Sequence, residues 1–208
     1  LVEFAKERNF EVYRDSVNNV IIKKCGTVGY ENKNAVIIQG HMDMVCEKTK
    51  DSKHNFRKDA IEFIVEGDIL RANNTTLGGD DGIAVAMGLA LLDSKNIPHP
   101  PIEFLATTSE ETGMDGALAI TGEHFKAKTL INIDSEEEGI FLVSCAGGLN
   151  TITEFEIKRE SLKENFESLK IEISGLKGGH SGIEINKQRA NAIKILGRLL
   201  YAVKKDIC

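Results

Sequence analysis

The sequence predicts an α/β fold with a mostly parallel sheet, and three observations carry that prediction. Ala35–Gln39 is a continuous apolar run, as a central strand buried on both faces should be. Two further strand-like runs follow, Ile102–Thr107 and Thr129–Ile133. Helical segments lie between the runs, and strands alternating with helices build parallel sheets.

The other elements take their places around these runs. Leu1, Phe4 and Ala5 form a helical stripe that ends near Asn9. Strands are expected at Glu11–Arg14 and Asn19–Lys23, with a turn at Ser16–Asn18 between them. The polar stretch Asp51–Asp59 reads as a loop, and Ala60–Glu66 with Asp68–Ala72 as a hairpin around Gly67. Gly82–Leu92 is a buried helix of Ala, Leu and Met, and a second helix runs from about Met114 to Ile120. The pattern changes near Asn150. Thr151–Lys158 and Ser168–Ser174 alternate apolar and polar residues, as half-exposed antiparallel strands do. Lys187–Lys204 reads as an amphipathic helix with Ile193, Leu196, Leu199, Leu200 and Val203 on one face. Residues 1–149 are therefore expected to form one domain and 150–208 the opening of a second.

Bulk properties exclude several functions. The 208 residues carry a formal net charge of -6 with both signs interspersed, so no basic patch offers itself to nucleic acid. The longest apolar stretch, Ile83–Leu92, is half the roughly 20 residues that a membrane span needs. Cys25, Cys46, Cys145 and Cys208 form no CxxC pair and no zinc-finger spacing, which reads as reduced thiols in the cytoplasm. The first residue is Leu1 and a helix is already under way there, so the N-terminus is expected to be a cut one.

The chemistry gathers where strands end. His41 and Asp43 close the first apolar run, Asp80 and Asp81 precede the buried helix, Glu110 and Glu111 follow Ile102–Thr107, and Asp134 follows Thr129–Ile133. An α/β sheet builds its site at the carboxyl ends of its strands. Imidazole and carboxylates together suit zinc, or manganese or cobalt where carboxylates dominate. Each residue also has a plainer reading. His41 alone fits a core histidine, but a carboxylate two residues on is what orients a ligating imidazole. Asp80 alone fits a helix cap, although Asp81 is the better-placed cap. Glu110 and Glu111 alone fit a solvated loop, as does the run Glu136-Glu137-Glu138. A metal would relieve the repulsion between Glu110 and Glu111, with one coordinating and the other acting as a general base. His54, His99 and His124 lack partners at useful spacings and read as surface residues. His180 lies among glycines in Gly178-Gly179-His180-Ser181-Gly182, which fits either an oxyanion donor on a mobile backbone or a turn with an incidental histidine. Arg189 and Asn191 follow, either to hold a substrate terminus or to cap a helix.

Five segments in this order resemble the M20 family of metallopeptidases: Gly40-His41-Met42-Asp43-Met44-Val45, Thr75–Ile83 with its Gly79-Asp80-Asp81-Gly82 core, Thr107–Gly113 around Glu110-Glu111, Ile131–Glu136 around Asp134, and Lys177–Gly182 around His180. The resemblance runs along nearly the whole chain. It implies two zinc ions, with manganese or cobalt as possible substitutes. His41 and Asp134 would hold one ion, and Glu111 with a late histidine the other. Asp80 would bridge them, with a cis peptide between Asp80 and Asp81. Asp43 would orient His41, Glu110 would be the general base, and His180 would stabilise the tetrahedral intermediate from a lid domain. It also implies a cytoplasmic homodimer that hydrolyses dipeptides such as Xaa-His by a metal-activated water. On this reading residues 1–149 are a catalytic metal-binding domain lacking both its start and its C-terminal part. Residues 150–208 are then a truncated lid domain, and the 208-residue piece is expected to be inactive. Two alternatives stand beside it: another amidohydrolase of the same fold (a tripeptidase, carboxypeptidase or deacylase), and a metal-free homologue without enzymatic activity.

Overall fold

The structure is a computed structural model, and it describes residues 1–135, 137–145, 147–149, 151–161, 167–180, 182 and 184–207. Glu136, Ser181 and Cys208 lie outside the described residues. The chain divides into two compact units, Leu1–Ala146 and Gly147–Cys208.

The first unit is a mixed α/β layer structure. After helix α1 (Val2–Glu7) come β1 (Glu11–Arg14), β2 (Val20–Lys24) and β3 (Val36–His41). A separate hairpin, β4 (Phe63–Glu66) and β5 (Ile69–Ala72), precedes α2 (Gly79–Asp93). Then come β6 (Ile102–Thr107), α3 (Asp115–Ala119) and β7 (Thr129–Asn132). The main sheet has the spatial order β1-β2-β6-β3-β7. β3 pairs in parallel with β6 on one side and β7 on the other, while β2 runs antiparallel to both β1 and β6. The parallel core of the sheet is thus β6-β3-β7, formed by the three runs that define the fold class.

Two apolar layers sandwich this sheet. On one face Phe104, Ile22, Val20 and Ile102 pack with Ala5 and Leu92, and with Val85 and Leu89 at the margin. On the other face Ile21, Ile37 and Leu105 pack with Ile120, Phe125 and Ala127. Every residue of β6 is buried, including Glu103. The Glu103 carboxylate accepts the backbone N–H groups of Lys126 and Ala127 at 2.9–3.1 Å, which meets the requirement that a buried charge be hydrogen-bonded.

Gly88 lets α2 lie directly on β6. A Cβ at this position would fall 2.9 Å from Cζ of Phe104, and closer still to that ring's edge. Phe104 is fully buried and has nowhere to swing. Gly88→Ala is therefore expected to destabilise the protein. Overpacking costs about 3 kcal/mol in a rigid site, against a gain of about 1 kcal/mol in helix propensity. A net loss of about 2 kcal/mol lowers the melting temperature by roughly 4–8 °C in a protein of this size, measured by calorimetry.

Four features differ from the sequence reading. His99 is buried, not on the surface, with Nδ1 2.8 Å from the carbonyl of Pro100 and its main chain paired with Thr27. The nearby prolines mark a turn, but the turn folds inward against the segment that follows β2. His124 stacks on Tyr13 with ring centroids 3.8 Å apart. In the second unit, Thr151–Lys158 and Ser168–Ser174 form no strand, and Ile152, Phe155 and Ile157 are exposed. Alternation selects a face only where partner strands and a core receive it, and two strands alone are marginal. The helix of the second unit, α4 (Ala192–Ile207), starts later than expected. Asn191 caps it, its Oδ1 accepting the Lys194 N–H at 2.9 Å.

Candidate functional site

The carboxyl ends of β3, β6 and β7 are level with one another. Register pairs His41 with Thr107 and Gln39 with Asn132. The ladder continues one step past each strand, with Met42 N–H to the Thr107 carbonyl at 2.9 Å and Ile133 N–H to the Gln39 carbonyl at 3.0 Å. Side chains that follow these strands are thereby delivered to one edge.

His41 is the centre of that edge, and it is 1 % exposed. Its Nε2 lies 3.0 Å from Asp80 Oδ1, 4.0 Å from Glu110 Oε2 and 4.0 Å from Asp134 Oδ1. One ligand atom from each of His41, Glu110 and Glu111 falls within 4.8 Å of the others, and the same holds for His41, Asp81 and Asp134. The structure thus brings together His41, Asp80, Glu110, Glu111 and Asp134. His180 belongs to the second unit.

Asp43 acts differently from the expected orienting carboxylate. His41 Nδ1 is nearest the main-chain carbonyl of Asp43, at 3.0 Å, with the Asp43 carboxylate at 3.5 Å. That carboxylate instead accepts the backbone N–H groups of Glu110 and Glu111, both at 3.1 Å. Ser109 takes a left-handed backbone, φ 58°, and the turn after it presents these two N–H groups. Asp43 therefore ties the loop after β6 to the loop after β3, and its main chain fixes the His41 ring.

Asp80 and Asp81 separate their tasks through the backbone. Gly78 is left-handed at φ 73°, the Asp80–Asp81 peptide is cis, and neither aspartate has helical dihedrals. Regular helix begins at Gly82, as the sequence predicts. Asp81 is 2 % exposed and accepts the His41 N–H at 3.1 Å as well as the Ala84 N–H. Its carboxyl is pushed up to about 6, by burial first, with the Asp134 charge adding and the His41 and Ala84 N–H groups opposing. Gly40 makes this approach possible, because a Cβ there would meet Asp81 Oδ2 at 2.6 Å and Ala84 Cβ at 2.5 Å. The sequence reading gives Asp81 a cap and misses its second role. No local signal marks a bond to a residue 40 positions away.

The electrostatics follow from crowding carboxylates around one imidazole. Burial lowers the pKa of His41, but the Asp80 hydrogen bond and the charges of Asp134, Asp81 and Glu110 outweigh it, so the net shift is upward. The Glu110 carboxyl is raised, by burial first and then by Asp134, Glu111 and Asp80, with His41 opposing. Such a donor set fits a divalent cation. Tetrahedral ligands with bonds of about 2.0–2.2 Å lie roughly 3.3–3.6 Å apart, and the 3.0–4.0 Å separations around His41 Nε2 bracket that range.

Fold and site together define an α/β domain with a cation-type donor set at its sheet edge, and the chain is similar to peptidases of the kind that the M20 resemblance implies. It is 46% identical over 207 residues to the cytosol non-specific dipeptidase of Escherichia coli (strain K12), covering 100% of this chain and 43% of that protein. The crystal structure of aminoacylhistidine dipeptidase from Vibrio alginolyticus matches 96% of this chain and 41% of its own, at 39% identity and a TM-score of 0.65. Aminopeptidase PepT from Bacillus cereus matches 65% of this chain and 36% of its own, at 26% identity and a TM-score of 0.52. No protein-family model matches the chain. The chain spans less than half the length of these relatives.

Proposed function

We propose that the protein carrying this chain is a zinc-dependent dipeptidase acting on dipeptides such as Xaa-His. The observation that carries this is the convergence of Asp80, Glu110 and Asp134 on His41 Nε2, at 3.0–4.0 Å, at the carboxyl edge of β6-β3-β7. The substrate class is that of the two dipeptidase relatives. His41, Asp80, Glu111 and Asp134 are the residues that would hold the metal. Bound there, a metal would supply Lewis acidity and would acidify a water molecule.

The chain's own groups do the rest. Glu110 takes a proton from the attacking water and hands it to the leaving amine. Its raised pKa brings it toward working pH, where a general base transfers protons most effectively. Asp43 holds Glu110 and Glu111 in place through their main chain. Asp81 anchors the His41 backbone from below. The family resemblance adds His180, from the second unit, as a donor to the oxyanion of the tetrahedral intermediate.

The family resemblance adds a homodimer, and the name of the Escherichia coli relative points to the cytosol. Among the described residues, no helix is long and apolar enough to cross a membrane.

Metal analysis of the purified intact protein, beside rates on Xaa-His dipeptides, tripeptides and N-acyl amino acids, tests the proposal. Bound zinc and a preference for dipeptides are expected. A preference for tripeptides or N-acyl amino acids would favour the second reading, another amidohydrolase of the same fold. Absence of both bound metal and hydrolysis would leave a non-enzymatic homologue.

A further inference from the structure

We propose that Glu184 is a positioning residue for His180: paired with Arg189, its carboxylate clamps the loop around that histidine, so that the Gly182 N–H holds the imidazole with its proton on Nε2. This rests on the reading that His180 is a donor to the reacting substrate. Arg189 is then a member of the clamp and not a hold on the substrate terminus.

The clamp is built within the second unit. Glu184 Oε2 accepts the His180 backbone N–H at 3.0 Å and Arg189 Nη1 at 2.9 Å. Glu184 Oε1 accepts Arg189 Nη2 at 2.7 Å and Lys187 Nζ at 2.6 Å. Arg189 Nη1 also donates to the Gly178 carbonyl. One carboxylate and one guanidinium therefore grip the loop on both sides of Gly179. The two-point Arg–carboxylate geometry is rigid as well as charged. These donors hold the Glu184 carboxyl well below the usual carboxylate range, Arg189 first, then Lys187 and the His180 N–H, so it stays ionised at neutral pH.

The ring is fixed by a separate contact. The Gly182 N–H donates to His180 Nδ1 at 3.1 Å. An acceptor nitrogen carries no proton, so the neutral imidazole carries its proton on Nε2. An Nε2–H held in this way can donate to a developing oxyanion. Glu184 anchors the main chain of His180, Gly182 anchors its ring, and neither contact alone sets the direction of the Nε2–H. Gly179 is what allows the grip to close. A Cβ there would fall 3.0 Å from Cζ of Arg189 and closer still to the guanidinium nitrogen and the Glu184 carboxylate.

The test uses the intact protein with a dipeptide substrate. Glu184→Gln keeps the shape and removes the charge. It is expected to lower kcat about 10–100-fold, the cost of a displaced catalytic group, with KM and metal content little changed. In a His180→Ala background the same substitution should change kcat by less than about twofold, because Glu184 acts only through His180. Nitrogen-15 NMR of the imidazole supplies a readout independent of activity. Wild type should show a protonated Nε2 and an unprotonated Nδ1. Glu184→Gln and Gly179→Ala should replace that pattern with a tautomer mixture, and Gly179→Ala carries the test if Glu184→Gln fails to fold. An equal loss of kcat with and without His180 would overturn the clamp, as would a wild-type ring protonated on Nδ1 or an unchanged kcat in Glu184→Gln. A protein that hydrolyses no dipeptide yet shows the tautomer pattern and its loss in both variants would keep the clamp and reject the function.

Discussion

Glu110→Gln is expected to lower kcat of the intact protein by about 10²–10⁴-fold while leaving its metal content unchanged. The substitution preserves size and one hydrogen-bonding oxygen, and it removes the ability to take a proton. Glu111→Ala should behave in the opposite order, losing metal first and activity as a consequence. Geometry makes the pair an informative one. Ligand atoms of Glu110 and Glu111 both lie within 4.8 Å of a ring nitrogen of His41, and the backbones of both are tied to the same Asp43 carboxylate. Their surroundings differ only modestly, so the assignment of base and ligand follows the order of the two residues in the family resemblance. Metal analysis beside steady-state kinetics separates them. Metal lost from Glu110→Gln and retained in Glu111→Ala would exchange the two roles. A Glu110→Gln protein that keeps both metal and rate would remove general-base catalysis by this residue.

The parts of the fold that were legible in the sequence are those decided by local pattern. β1 and β6 occupy the expected residues, and the regular part of α2 begins at the expected Gly82. Apolar runs with turn residues at their ends leave little else for these segments to be. The convergence of strand-end residues was also legible, because a parallel sheet sends every strand's carboxyl end to one edge and each motif sits just past such an end. The connections across that edge were not legible. The Asp43 carboxylate reaches N–H groups 67 and 68 residues away, and Asp81 reaches one 40 residues away. A short aspartate side chain has the same local appearance whether it orients a ring, caps a helix or ties two loops together. The order β1-β2-β6-β3-β7, with β6 inserted between its two predecessors, is likewise a property of the whole sheet. In the second unit the local pattern misled. Period-two alternation at Thr151–Lys158 is a necessary mark of a half-buried strand, but among the described residues Ile152 and Phe155 stay exposed and the segment forms none.

Metal affinity is expected to fall steeply as pH drops from about 7 to 5, the range in which histidine changes charge. The sign follows from the metal-free site. His41 has a pKa raised above its ordinary value, because the Asp80 hydrogen bond and the neighbouring carboxylates outweigh burial. It therefore holds its extra proton to a higher pH than a solvated histidine. Coordination requires the neutral ring, so the proton leaves when metal binds. Below the pKa of His41, affinity should drop about tenfold per pH unit for that proton. Asp81, pushed up to about 6, and Glu110, also raised, retain protons in the same direction, and an arriving cation drives them off as well. Where two protons leave together, the drop approaches about 100-fold per unit. Calorimetric titration of the metal-free protein with zinc, repeated in buffers of different ionisation enthalpy, counts the released protons directly. His41→Ala should bind zinc weakly and should lose one proton from that count. An affinity that is flat across this range, or that tightens as pH falls, would mean that no proton leaves His41, and Nε2 would then not be a ligand.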